Sequence, residues 1–111
     1  MLFVATDRWS RTIHCTKVQW RDHVCSHHPH LVDWGEYARQ TIEDPDAVLF
    51  DAHHKDCESF YRSGMLPGVY WQFYLKVVVR FEDHSGQVVT AYVTDRYKAE
   101  ERIKWIAHRS S

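Results

Sequence analysis

The stretch GVYWQFYLKVVVRF, residues 68–81, carries the clearest secondary-structure signal in the chain. Its residues alternate between a wholly apolar set and a mixed, partly charged set. The apolar set is Trp71, Phe73, Leu75, Val77, Val79 and Phe81, and the mixed set is Gln72, Tyr74, Lys76, Val78 and Arg80. Alternation of this length predicts a strand whose apolar face packs on the core.

A returning strand, QVVTAYVTD (87–95), follows a loop near DHSGQ and alternates in the same way. Matching the apolar faces sets Phe81 opposite Val89, Val79 opposite Ala91 and Val77 opposite Val93. The same register sets Arg80 opposite Thr90, Val78 opposite Tyr92 and Lys76 opposite Thr94. It therefore predicts one exposed sheet surface, left for function, that carries Lys76, Arg80, Thr90 and Tyr92.

Four shorter apolar stretches predict the remaining strands. LFVAT (2–6) and TIHC (12–15) flank the polar turn DRWSR and favour a small N-terminal hairpin. AVLFD (47–51) and ESFYR (58–62) are two further candidates, and RSGMLPG (62–68) is a Gly- and Pro-containing connection to the long strand.

Three segments predict helices. Thr16 followed by Gln19 is a capping-box pattern that begins the first helix, and Pro29 ends it near His27 or His28. Asp33 with Glu36 gives a second box before an apolar stripe that Pro45 stops; the stripe is Trp34, Tyr37, Ala38, Thr41 and Ile42. YKAEERIKWIAH (97–108) predicts a C-terminal helix that packs Ile103, Trp105 and Ile106.

These elements predict an α+β domain, with N-terminal helices on one face of an antiparallel sheet and a helix at the C-terminus. The 111 residues suit one domain spanning 1–111, and 44% of them are apolar. The net charge of −1 argues against non-specific nucleic-acid binding unless a local basic patch exists. Three cysteines without CxxC spacing argue against a disulfide scaffold. Without a signal peptide or a membrane-length apolar run, we expect a cytoplasmic protein and no membrane partner.

The run HVCSHHPH, residues 23–30, contains four of the nine histidines. Helical phase places His23 and His27 on one face, whereas His28 and His30 fall in the turn at Pro29. Three interpretations remain: a catalytic cluster, a metal site formed by His23 and His27 with Cys25 or another histidine, or a solvated helix end. Cys25 lies off the face of the two helical histidines, which weighs against the metal site.

Several segments resemble one family and keep its order. Residues 20–31, with Trp20, His23 and HHPHL (27–31), resemble a helix-and-turn motif of the form W..HI..RHPEL. FYR (60–62), YLKVVVRFED (74–83), GQVVTAYVTD (86–95) and the following Tyr97-Lys98 resemble its strands. The family is the phage-associated group of nucleases related to barnase, EndoU, the tRNA-cleaving colicins and RelE, which share the BECR fold. The resemblance spans about residues 18–106, and VVVRF followed by VVTAY is its most specific part.

The resemblance implies a barnase-like fold and a nuclease site, independent of metal and cofactor, on an open sheet face beside the first helix. His23 and His28 match the family's histidines. The positions that match its polar strand residues are Tyr61 or Arg62, Lys76, Thr90 and Tyr92. The chain departs from the pattern at His27, where the family has Arg, and at His30, where it has Glu.

Metal-free RNA cleavage needs a base, an acid and groups that stabilise the charged phosphate. Histidine suits both proton roles because its unperturbed pKa is ~6.5. We therefore expect His23 and His28 to be the acid/base pair. The other expected catalytic residues are Lys76, Thr90 and Tyr92, and the expected substrate-binding residues are Tyr61, Arg62, Tyr74 and Arg80.

The leading hypothesis is thus a metal-independent, toxin-like endoribonuclease that cleaves RNA, such as tRNA, to a 2′,3′-cyclic phosphate. An inhibitor or antitoxin protein is the second partner that this class implies. The alternative is a non-catalytic RNA- or protein-binding module on the same fold, favoured by the near-neutral charge and by His27 and His30. A histidine-rich metal site is the third hypothesis.

Overall fold

The computed structural model describes residues 1–108, and its strands form a seven-stranded sheet in the order β1-β2-β6-β5-β4-β3-β7. The strands are β1 (Phe3–Thr6), β2 (Thr12–Cys15), β3 (Ala47–Phe50), β4 (Cys57–Arg62), β5 (Tyr74–Glu82), β6 (Ser85–Thr94) and β7 (Arg102–Ile106). All neighbours are antiparallel except β2 and β6, which run parallel. The sheet is therefore mixed, and the prediction of an antiparallel sheet is wrong at this one pairing.

The helices are short. Helix α1 (Lys17–Gln19) continues as a π-helical segment (Trp20–Cys25), and α2 (Gly35–Glu43) follows a 3₁₀ turn at Pro29–Leu31. The first predicted capping box is confirmed, because the Gln19 amide donates to Thr16 Oγ1 and the Thr16 amide donates to Gln19 Oε1. The second is wrong, because α2 has Trp34 as its N-cap without a side-chain hydrogen bond.

The helices and one face of the sheet enclose the main core, as predicted for an α+β domain. Leu75, Val77 and Val79 of β5 are fully buried there, against residues such as Trp20 and Ile42 from the helices. The alternation of β5 therefore identifies the core face correctly. Within residues 1–108, no helix has the length and apolarity needed to cross a membrane.

The strand predicted from residue 68 begins only at Tyr74. Residues Gly68–Tyr70 form a 3₁₀ turn, which Gly68 enters with φ +60°, a conformation that suits glycine. Trp71 consequently lies outside the sheet with 60% of its surface exposed. The prediction that it packs on the core is therefore wrong.

The predicted register of β5 and β6 is wrong by two residues at Val77 and by three at Val79, and the predicted core face of β6 is right at Ala91 and Val93 but wrong at Val89. Lys76 pairs with Tyr92 and Val77 with Ala91. The turn is a tight two-residue one, in which Asp83 adopts φ +57°, so β6 begins earlier than the apolar pattern alone indicates. A bulge between Val78 and Val79 leaves Val89 unpaired and puts Val88 on the core face in its place.

The predicted C-terminal helix is also wrong, because Arg102–Ile106 forms β7 at the edge of the sheet. β7 pairs antiparallel with β3, and Trp105 opposite Val48 packs against the main core. Helix-forming residues precede this strand, but their weak preference loses to strand pairing and to burial of the tryptophan.

A buried ionic network ties the N-terminal hairpin to the middle of the sheet. The Arg11 guanidinium donates to Asp7 Oδ2 at 2.8 Å. It also donates to both carboxylate oxygens of Glu58 in β4, at 2.8 and 2.9 Å. Lys104 of β7 donates to the same Glu58 at 2.9 Å. The turn DRWSR is therefore a structural anchor as well as a polar turn.

Candidate active site

The sheet face opposite the core is covered in its middle by the loop of residues 95–101. Beneath this loop lies the Lys76 side chain, only 3% exposed, and its ammonium is 3.0 Å from Glu101 Oε2. The Tyr61 hydroxyl donates to Glu101 Oε1 at 2.6 Å, and the Ser59 hydroxyl donates to Glu101 Oε2 at 3.3 Å. The expectation that Lys76 stands on an open surface is therefore wrong, because a later loop folds over it and supplies its counter-ion.

The environment keeps Lys76 charged. Burial acts to lower the pKa of Lys76, but its bonds to Tyr61, Tyr92 and Glu101 outweigh burial and raise it. Burial and the bond to Glu101 also raise the pKa of Tyr61, to about 12. At neutral pH Lys76 is therefore charged and Tyr61 protonated, and both bind Glu101.

Tyr92 connects this buried group to the histidine run. The Lys76 ammonium lies 5.3 Å from the centroid of the Tyr92 ring, within the range of a cation–π contact. The His28 ring stacks on Tyr92, with centroids 5.7 Å apart and planes 29° apart. His28, Tyr92 and Lys76 thus form a continuous row, and these three predicted residues do come together.

Partial burial and neighbouring imidazoles change the pKa of His28. Burial, followed by His30 and His27, lowers the pKa of His28 below its ordinary value. Its imidazole is therefore neutral at physiological pH, and one ring nitrogen is free of a proton and able to accept one.

The turn at Pro29 places His28 there. The His28 amide donates to the carbonyl of Val24 at 2.9 Å, and His28 caps the 3₁₀ turn that begins at Pro29. Leu31, fully buried, anchors the other end of that turn in the core. This local fold lets His28 leave the helix and reach Tyr92 on β6.

A pocket of about 310 Å³ opens beside Lys76 and Tyr92. Two exposed cations of the covering loop, Arg96 and Lys98, line it, so it combines positive charge with aromatic walls. Its other lining residues are Tyr61, Thr94, Asp95, Tyr97 and Ala99. A local basic rim of this kind is what a near-neutral chain needs in order to attract phosphate.

Tyr61 and Tyr74, two of the expected substrate-binding residues, lie close to Lys76. Tyr61 pairs with Lys76 across β4 and β5, and its ring centroid lies 5.2 Å from the ammonium. Tyr74 lies two residues before Lys76 on the same face, where its ring contacts Tyr61 and Tyr97. Thr90 is on this face too, but it pairs with Val78, farther along β5 from Lys76.

Three other expected residues lie apart from this group. His23 is exposed, and none of the ring contacts or hydrogen bonds described for residues 1–108 joins it to Lys76 or Tyr92. Arg62 pairs with Leu75 on the core-facing side, and its guanidinium binds Asp44 at 3.1 Å. Arg80 is exposed at the far end of β5, 3.5 Å from Asp56.

The sequence interpretation missed Glu101 and its loop altogether. Glu101 stands in KAEER, where nothing distinguishes it from the solvated charges around it. Only the return of β7 to β3 brings that loop over Lys76. An unmatched lysine in an otherwise buried strand is the one signal that a carboxylate partner must come from elsewhere.

The described part of the chain, residues 1–108, contains no group of three or more His, Cys, Asp or Glu that could hold a metal ion. His23 and His27 therefore lack a third ligand of these types within it.

No protein-family model, curated protein or solved structure matches this chain.

Proposed function

We propose that the chain is a metal-independent endoribonuclease of the barnase-like BECR group, with its site at His28, Tyr92 and Lys76. The observation that carries the proposal is the stacking of a neutral His28 on Tyr92, directly beside a charged Lys76 and a cation-rimmed pocket. A proton acceptor, a hydroxyl donor and fixed positive charge are the groups that such cleavage requires.

The chemistry assigns one step to each group. His28 accepts the proton of the ribose 2′-hydroxyl, and the 2′ oxygen attacks phosphorus. The bond from phosphorus to the 5′ oxygen breaks, and the Tyr92 hydroxyl protonates the leaving oxygen. The products are a 2′,3′-cyclic phosphate and a 5′-hydroxyl. His23 takes no part in this scheme, so the acid role that the sequence suggested for it passes to Tyr92.

Positive charge around the pocket supports the phosphate. Lys98 and Arg96 are exposed at its rim, although Arg96 is paired with Asp95 at 2.9 Å. Such a fully exposed pair contributes little, so a phosphate can displace it at little cost. Lys76 is shielded by Glu101 and acts mainly by holding Tyr92 in place.

The test is incubation of purified protein with tRNA or total RNA in EDTA, followed by analysis of the product ends. We expect cleavage with 2′,3′-cyclic phosphate and 5′-hydroxyl ends, reduced about 10²–10⁴-fold in His28→Ala. His53→Ala, which removes an exposed loop histidine, is the matched control and should cleave like the wild type. A folded protein that cleaves neither RNA contradicts the proposal.

A non-catalytic RNA-binding module is the second candidate. It is favoured by one observation, the ion pair that neutralises the almost fully buried side chain of Lys76 inside the fold. A module of this kind binds RNA through the basic rim without turnover. Retention of intact labelled RNA by the wild-type protein, with no cyclic phosphate formed, distinguishes it from the nuclease.

A further inference from the structure

We propose that a row of aromatic rings leading away from the pocket is a stacking surface for unpaired bases of single-stranded RNA. The inference rests on the proposed function, which makes RNA the ligand, and adds which form of RNA binds and where. The row, called here the ring row, consists of the contacting rings of Tyr92, His28, His30 and Tyr70, together with the exposed Trp71, which follows Tyr70 in the chain.

The first four rings follow one another at contact distance. His28 meets Tyr92 at 5.7 Å and His30 at 6.3 Å, and His30 stacks on Tyr70 at 5.6 Å with planes only 12° apart. The next residue along the chain, Trp71, carries its indole on the surface. The ring contacts therefore run from the candidate site to Tyr70, and its chain neighbour Trp71 is the most exposed tryptophan among residues 1–108.

The two ends of the row differ in burial. Trp34, fully part of the core, holds His30 and Tyr70 from behind through edge contacts of 5.8 and 5.4 Å. Trp71, by contrast, is not a core residue. It is 60% exposed, and Val69, two residues earlier in the chain, is 77% exposed. His30 is exposed, and His28, Tyr70 and Tyr92 are partly buried, so these rings present surface to solvent while Trp34 supports two of them from the core.

Chemistry selects the occupant. Aromatic rings bind unstacked bases of any sequence through their faces, whereas bases within a duplex are already stacked on each other. The cations Arg96 and Lys98 at the pocket end complement the phosphates of a strand that lies along the row. A duplex offers its phosphates to the rim but no free base faces to Trp71.

The experiment measures binding without cleavage. A fluorescein-labelled single-stranded RNA with 2′-O-methyl groups throughout lacks the attacking hydroxyl and stays intact, and a hairpin duplex of the same chemistry is compared with it. We expect the single strand to bind the wild-type protein at least about fivefold more tightly than the duplex. We expect Trp71→Ala to weaken single-strand binding about 5- to 100-fold, as for loss of one stacked base.

Two variants make the test specific. Trp71→Phe keeps an aromatic face and should retain most of the affinity. Val69→Ala, an exposed neighbour without a ring, should bind like the wild type. Because Trp71 lies on the surface, its variants should unfold at the wild-type temperature.

Two results overturn the ring row: equal affinity for strand and duplex, or single-strand affinity that Trp71→Ala leaves unchanged. Either result, together with cleavage of natural RNA in EDTA, leaves the proposed nuclease standing. Binding that depends on Trp71, with no cleavage of natural RNA, supports the ring row and defeats the nuclease instead.

Discussion

Lys76 and Glu101 form the interaction on which the candidate site depends most. Both side chains are almost fully buried, so removal of one leaves an uncompensated charge inside the protein. We expect Lys76→Met alone to lower the free energy of unfolding by about 3–5 kcal/mol. The double variant Lys76→Met with Glu101→Leu should cost clearly less than the two single variants together. Denaturant unfolding measures all three, and additive costs would show that the pair is not coupled.

The hydrogen bond from Tyr61 to Glu101 gives a related prediction at alkaline pH. Because the folded state raises the pKa of Tyr61 above its ordinary value near 10, Tyr61 stays protonated longer in the fold than in the unfolded chain. Its contribution is complete below about pH 10 and is lost as pH rises toward about 12. Tyr61→Phe should weaken this part of the alkaline loss of stability. An unchanged slope, measured by denaturant unfolding across that range, would contradict the assignment.

His28 predicts the acid side of the activity profile. Its pKa is lowered in the fold, so the neutral base persists to lower pH than for a free histidine. We expect the rate of RNA cleavage to fall only below the ordinary value of about 6.5. The rate on a fixed RNA, followed from neutral to acid pH, measures this limb. A cleavage rate that already falls above the ordinary histidine value would indicate that another group is the base.

At this scale the sequence supplies residue types but not their partners. Lys76 and Tyr92 could be chosen because strand alternation assigns faces, whereas His28 and Tyr61 were chosen through the family resemblance. Glu101 could not, since its role arises from a contact 25 residues away in the chain.

β7 is the element on which sequence and structure disagree most. If Arg102–Ile106 pairs with β3, its residues should show strand-like backbone chemical shifts, and the amides of β3 should exchange slowly with solvent on both of its edges. NMR of the labelled protein measures both. Helix-like shifts at residues 102–106 would support the predicted C-terminal helix. They would also contradict the position of the 95–101 loop over Lys76.

Elements with a strong local pattern were predictable, and those decided by distant partners were not. The hairpin of β1 and β2, the capping box at Thr16 and the faces of β5 follow from residues close in sequence. The parallel pairing of β2 with β6 and the strand at Arg102–Ile106 depend on segments that meet only in the folded chain. Periodicity within one segment cannot encode such partners.

The ionic network around Arg11 links three distant parts of the molecule and predicts its response to acid. Burial acts to raise the pKa of Glu58, but the bonds from Arg11 and Lys104 outweigh it, so the pKa is lowered. Its contribution is therefore present above the unfolded value near 4.3 and lost as pH falls through the folded value. Glu58→Gln should flatten the decline in unfolding temperature between about pH 6 and pH 3. A decline as steep as in the wild type would place acid sensitivity elsewhere.

At the scale of the whole molecule, the histidine run divides between two surfaces. His28 and His30 join the ring row, whereas His23 lies exposed on the π-helical segment. We propose that the site uses one histidine of this run, His28, for proton transfer, with Tyr92 as its partner.

The most direct measurement is the initial rate of RNA cleavage in EDTA by the wild type, His28→Ala, Tyr92→Phe and His23→Ala, with folding of each checked by thermal unfolding. We predict strong loss of rate in His28→Ala and Tyr92→Phe, and a rate within about twofold of the wild type in His23→Ala. Loss of activity in His23→Ala, with His28→Ala active and folded, would contradict the account.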